Sequence, residues 1–143
     1  RQNVKSLPEG TDYQQTRKGA YIVTGSDEQF DVILVASGSE VSTCVAGAEL
    51  LRKDGVKVRV VSAPSEGLFR RQSKEYQEQI LPRDAKIFGL TAGLPVTIEG
   101  LVGANGKVFG LNSFGFSAPY TVLDEKLGFT PENVYKQVKE FLA

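Results

Sequence analysis

The run Asp31-Val32-Ile33-Leu34-Val35-Ala36 constrains the fold more than any other part of the chain, because after one carboxylate it is continuously apolar and rich in β-branched residues. A strand of that kind has no polar face to turn toward water, so it must be covered on both sides, as the strands of parallel sheets are. Ser37-Gly38-Ser39 leads out of it into a segment where Val41, Cys44, Val45, Ala48 and Leu51 recur at the spacing of one helical face. Lys53-Asp54-Gly55 ends that helix, and Lys57-Val58-Arg59-Val60-Val61 is a second strand. Residues 31 to 62 therefore read as a βαβ unit with a right-handed parallel crossover.

The remaining segments extend this alternation. Residues 1 to 19 are polar, carry Pro8, Gly10 and Gly19, and show no clear period, which predicts an ordered arm or linker before the domain proper at 20–143. Ala20 to Thr24 reads as a short strand, suited to a sheet edge and closed by the turn-forming Gly25-Ser26-Asp27. A helix is expected around Ser73 to Gln79, stopping before Pro82, and a strand over Lys86 to Leu90. Leu94 to Leu101 fits two readings: Val96 and Ile98 alternate like a strand, which would make Asn105-Gly106 a hairpin turn, yet Pro95 suits the first position of a short helix. Lys107 to Leu111 is the next strand and Pro119 to Leu127 a short helix stopped by Gly128. A closing helix has Thr130 as cap, Pro131 at its first position, Glu132 in its first turn, and Val134, Val138, Phe141 and Leu142 on one face. No internal repeat or low-complexity segment is present.

Composition removes whole classes of function. At 143 residues the chain fits one domain with one core. Seventeen Lys and Arg balance seventeen Asp and Glu, so no net field draws in nucleic acid or anionic lipid. The apolar runs are too short to span a bilayer and the first residues do not form an export signal, so a soluble chain is expected. With one cysteine no internal disulfide can form, which agrees with a reducing, cytosolic setting. The absence of histidine excludes Ser-His-Asp and Cys-His catalysis and leaves carboxylates, Lys and Tyr for proton transfer.

Four features could carry chemistry, and each has a plainer reading. Ser37-Gly38-Ser39-Glu40 opens a helix where a phosphate could sit, but it has one glycine where a dinucleotide fingerprint has three, and Glu40 already places a carboxylate at the positive end. A structural cap is expected there. Cys44 lies on an apolar helix face with no His or Lys placed to activate it, so it is expected in the core. Asp124 and Glu125 are adjacent on a helix, point in different directions and are expected on a solvated face. The segment from Phe109 to Pro119 follows a strand's carboxyl end, where open α/β sheets bind ligands, yet it offers only hydroxyls, one amide and aromatic surface. A turn or docking surface is expected of it rather than a catalytic loop.

Ser113-Phe114-Gly115-Phe116-Ser117-Ala118-Pro119, followed by Leu127-Gly128-Phe129-Thr130-Pro131-Glu132-Asn133-Val134, resembles the C-terminal domain of transketolases. Val35-Ala36-Ser37-Gly38-Ser39-Glu40-Val41 resembles that family's first strand-to-helix turn, Lys57 to Ser62 its next strand, and Arg1-Gln2-Asn3 the end of its preceding pyrimidine-binding domain. The resemblance covers nearly the whole chain. It departs at Thr91-Ala92-Gly93, where many relatives have Glu-Ala-Gly, and in lacking the Gly-Trp of the helix beyond. It also favours the helical reading of Leu94 to Leu101, because that keeps the βαβ alternation.

The resemblance implies a three-layer α/β/α fold with a mostly parallel five-stranded sheet, which leaves room for one antiparallel strand at the edge. It implies a cytoplasmic, homodimeric parent enzyme of the pentose phosphate pathway that uses thiamine diphosphate and a divalent cation such as magnesium to move a two-carbon ketol unit from a ketose phosphate to an aldose phosphate. In that family the cofactor lies between two other domains, so this chain is expected to bind no cofactor or metal, to hold no catalytic residue, to be inactive alone and to pack against the remaining domains. Arg1 is the one residue linked to substrate, as a phosphate contact suited to a guanidinium fork; on its own it reads as a terminal charge. Two rivals remain open: a small-ligand or nucleotide module using the strand ends near Ser37 and Ser62, and the equivalent domain of another thiamine enzyme, such as deoxyxylulose phosphate synthase or a pyruvate dehydrogenase β subunit.

Overall fold

The computed structural model describes residues 3–25 and 29–143. Arg1, with the start of the Arg1-Gln2-Asn3 motif, and the Ser26-Asp27 part of the expected turn lie outside the described residues. Strands β1 (Tyr21–Thr24), β2 (Val32–Ala36), β3 (Val58–Ser62), β4 (Ile87–Leu90) and β5 (Lys107–Phe109) form a sheet in the order β1-β3-β2-β4-β5. β2 pairs in parallel with β3 and β4, and β4 in parallel with β5, while β1 runs antiparallel to β3 at the edge.

The unbroken apolar run of β2 is explained by its central place. Val32, Leu34 and Ala36 face one cluster, with Cys44, Ala48 and Leu51 of α1 (Glu40–Lys53) and Val134 and Val138 of α6 (Pro131–Leu142). Ile33 and Val35 face the other, with Phe69 of α2 (Glu66–Arg70), Ile80 of α3 (Lys74–Ile80) and Leu101 and Val102 of α4 (Val96–Val102). Fully burying a Val, Leu, Ile or Phe side chain contributes about 1.5–3 kcal/mol. The layers are helix, sheet, helix, as the sequence implied. On the first face α1 and α6 approach so closely that a Cβ on Gly47 would stand 2.7 Å from Val134 Cγ1. The cap expected at Thr130 is formed: its hydroxyl accepts from the Asn133 N–H at 3.2 Å.

Several expectations change in detail. Leu94 to Leu101 is helical, as α4 over Val96–Val102, with Pro95 at the cap position rather than in the first turn, so Asn105-Gly106 joins a helix to a strand and is no hairpin. β5 stops at Phe109 instead of reaching Leu111; beyond β4's end at Leu90 the contact continues as the bond from Leu111 N–H to the Gly93 carbonyl. The residues before β1 contain a 3-10 helix, Tyr13–Lys18, started by Asp12, whose carboxylate accepts from the Gln14 N–H at 3.0 Å. The single-turn α2 has no periodic signature. It exists because Ser65 Oγ accepts from the Leu68 N–H and Phe69 is buried beneath it.

Candidate functional site

The strand order turns at the middle of the sheet: β3 lies on one side of β2 and β4 on the other. In open α/β sheets the crevice outside the carboxyl ends at such a reversal is the usual place for a ligand. Here it is bounded by Ser37-Gly38-Ser39 after β2 and Thr91-Ala92-Gly93 after β4. In each segment one hydroxyl, that of Ser39 or of Thr91, is engaged by a neighbouring residue. Ser39 occupies the cap position of α1 but does not cap the backbone as expected; its residue is already helical and its hydroxyl donates to Glu40 Oε1 at 2.8 Å. Ser42 Oγ donates to the Ser39 carbonyl at 2.9 Å. Thr91 Oγ1 accepts from the Gly93 N–H at 3.1 Å.

The mouth beside α1 is also roofed. A space of only about 60 Å³ remains there, walled by Asn3 and Val4 of the arm, Ser39, Glu40, Tyr120 and Asp124. Two carboxylates in so small a space oppose any anion. Asp124 is half-buried and burial raises its carboxyl above the ordinary range, whereas Glu125 is exposed. The expectation of a solvated pair thus holds for Glu125 and not for Asp124, because the Asp124 side of α5 (Tyr120–Leu127) lines that small space together with the start of α1 and the arm. At the neighbouring strand end Ser62 is buried and pairs with Tyr21, so β1 closes the second place the ligand-module reading needs.

Cys44 is fully buried between β2 and α6, and burial pushes its thiol far above the ordinary range, which leaves it protonated and unreactive. Among the described residues no three His, Cys, Asp or Glu side chains converge as metal ligands, and no helix is long and apolar enough to cross a membrane.

The other part of the same sheet end has a different character. Leu111 N–H donates to the Gly93 carbonyl at 2.9 Å, tying the exit of β5 to that of β4. Gly110 is required for this approach, since a Cβ there would lie 2.8 Å from the same carbonyl. Beyond that tie every residue from Asn112 to Pro119 is exposed. Phe114 is 98% exposed, and with Ala92, Gly93, Leu94, Leu111 and Gly115 it lines an open, mainly apolar cavity of about 570 Å³. Leu94 at 57% and Val96 at 65% exposure extend the surface onto α4. Phe116 is partly engaged by Lys126, whose ammonium stands 4.0 Å from the ring centroid. Residues 109–119, expected as a turn or docking surface, thus leave the sheet as an exposed, mainly apolar loop; Leu94 and Val96 are additions that the sequence pattern assigned only to a secondary element. Their signal was the lack of charge: in a chain that is 24% charged, residues 87–98 and 108–122 contain no Asp, Glu, Lys or Arg.

Residues 19–130 match the family profile described as the transketolase-like C-terminal domain. The transketolase of Staphylococcus epidermidis is 45% identical over 142 residues, covering 97% of this chain and 22% of the relative. Among solved structures, the transketolase of Leishmania mexicana matches with a TM-score of 0.89 and 33% identity over 99% of this chain and 20% of its own. A Pichia stipitis transketolase in complex with sedoheptulose 7-phosphate matches with a TM-score of 0.90 and 32% identity over 99% of this chain and 20% of its own. The chain spans about a fifth of the length of the transketolases it matches.

Proposed function

Because the chain belongs to the transketolase C-terminal domain family, we propose that it serves, as a non-catalytic domain, a transferase that moves a two-carbon ketol unit between sugar phosphates. The observation that carries this reading is the division of the sheet end: the crevice where a ligand would sit is closed by the arm and two carboxylates, while the adjoining strand ends present bare apolar surface. Such a domain contributes by packing.

Thiamine diphosphate with magnesium does not fit this chain. A metal-bound diphosphate needs several oxygen ligands and an uncompensated run of N–H donors; the described residues supply no converging acidic set, and Glu40 stands at the start of α1. On this reading the cofactor belongs to the other domains, the parent is a cytoplasmic homodimer of the pentose phosphate pathway, and its substrates are ketose and aldose phosphates, in keeping with the sugar phosphate in the similar Pichia stipitis structure. Residues 1–19 then lead from the preceding domain and 20–143 form the domain itself, with Arg1 contacting the substrate phosphate.

The test is a chimera in which the matched stretch of the Staphylococcus epidermidis enzyme is replaced by this chain. The chain alone, given thiamine diphosphate, magnesium and a ketose phosphate donor, is expected to show no turnover, and the chimera to show it. In the chimera Arg1→Gln is expected to raise KM for a phosphorylated donor by about tenfold or more, the scale of one charge-assisted contact. Turnover by the chain alone, or a folded chimera without turnover, refutes the reading.

A further inference from the structure

The uncharged surface at the carboxyl ends of β4 and β5 has no role within the domain. Between Asn112 and Ala118 the one hydrogen bond among the described residues runs from the Ser113 hydroxyl to the Phe114 carbonyl at 3.4 Å. Eight consecutive exposed residues with a phenyl ring at 98% exposure gain little from their own domain to offset the cost of ordering them. Depletion of charge combined with exposed aromatic and aliphatic side chains is the composition of the buried centre of a protein interface, not of a solvated surface.

Two observations select the occupant. The family profile is that of a C-terminal domain and the chain covers 22% of a relative, so in such a relative most of the polypeptide precedes this domain. Its point of entry is fixed by the arm: Asn3 and Val4 share the small cavity with Ser39 and with Tyr120, and Tyr120 follows the exposed loop directly. In a polypeptide built like those relatives, the part before the arm is therefore delivered at the same end of the sheet as Phe114, beside the uncharged face.

We propose that Phe114 anchors this domain to the one preceding it in the same polypeptide, its ring entering an uncharged apolar recess there while Leu94, Val96 and Leu111 pack around it. The proposal rests on the reading that this chain completes a transketolase. Where it meets Leu94, Val96 and Phe114 the neighbour's surface must itself be aliphatic or aromatic and free of charge, since residues 87–98 and 108–115 carry no charged side chain to answer an ion.

Amide hydrogen exchange followed by mass spectrometry tests this on the chimera and on the chain alone. Amides of 112–118 are expected to exchange at least about tenfold more slowly in the chimera. Phe114→Asp is expected to abolish that protection, and Phe114→Leu to keep most of it. Loop exchange that is equal in both proteins, or protection that survives Phe114→Asp, overturns the proposal. Protection that appears in the chain alone as its concentration rises assigns the face to a second copy and also overturns it. A chimera with turnover and an unprotected loop refutes the anchor while leaving the transketolase reading intact. One with no turnover, and exchange everywhere as in the chain alone, refutes both.

Discussion

The α1–α6 face and the loop from Leu111 to Pro119 use similar residues to opposite ends. Cys44, Leu51 and Val138 are sealed at 0% exposure, whereas Phe114, larger and no less apolar, is 98% exposed. The domain does not lack room for apolar groups, since each face of the sheet has its own cluster. What separates the two regions is which surface they meet. α1 finds α6 within the chain; beyond Leu111, which packs on the core, the loop's side chains meet, among the described residues, only the Lys126 ammonium at Phe116. Stability and the proposed docking therefore occupy different places, and substitutions should divide accordingly.

The largest effect is expected from Leu51→Ala, which leaves a void where β2, α1 and the end of α6 meet and should cost about 2–5 kcal/mol in urea unfolding. A loss below about 1 kcal/mol would mean that this face is loosely packed and would blur the contrast. Gly47→Val should cost about 1–3 kcal/mol by the same measurement, because the new side chain would be driven into Val134; an unchanged midpoint would show that α6 can move away from α1.

A smaller effect concerns the far end of the same helix pair. The Tyr135 hydroxyl donates to Asp54 Oδ2 at 2.5 Å and Lys139 Nζ lies 3.4 Å from the same oxygen. The hydrogen bond from Tyr135, with that cation, holds the Asp54 carboxyl below the ordinary carboxylate range, and acceptance by Asp54 holds the Tyr135 phenol above its own. A carboxyl depressed in the folded state contributes stability above the ordinary carboxylate range and loses it as pH falls toward the folded value. A phenol raised in the folded state contributes below the ordinary tyrosine range and loses it as pH rises through the folded value. Tyr135→Phe should return the Asp54 titration, followed by carboxyl NMR, toward an ordinary aspartate. No movement would mean that Lys139 alone holds it.

Legibility in the sequence followed the length of each signal. β2, α1 and β3 were readable because an unbroken apolar strand and a fourteen-residue helix repeat their pattern several times. α2 was not, because five residues complete barely more than one turn and depend on the Ser65 cap and on Phe69 meeting the sheet face. Ser39 was misread for a related reason: its position marks a cap, but the choice of its hydroxyl between a backbone N–H and the Glu40 carboxylate is local geometry that no spacing encodes. At the candidate site the loop around Phe114 stood out through its glycines and phenylalanines. Leu94 and Val96 did not, because an apolar residue on a short helix is assigned to the core by default, and only the missing charges on both segments join them into one face.

The smallest expected effect tests the separation most directly. Phe114→Asp in the chain alone should leave the urea unfolding midpoint unchanged to within about 0.5 kcal/mol, as for a surface position without partners. A loss of more than about 1 kcal/mol would show that the loop packs on its own domain, and would contradict an account in which that face is kept for another one.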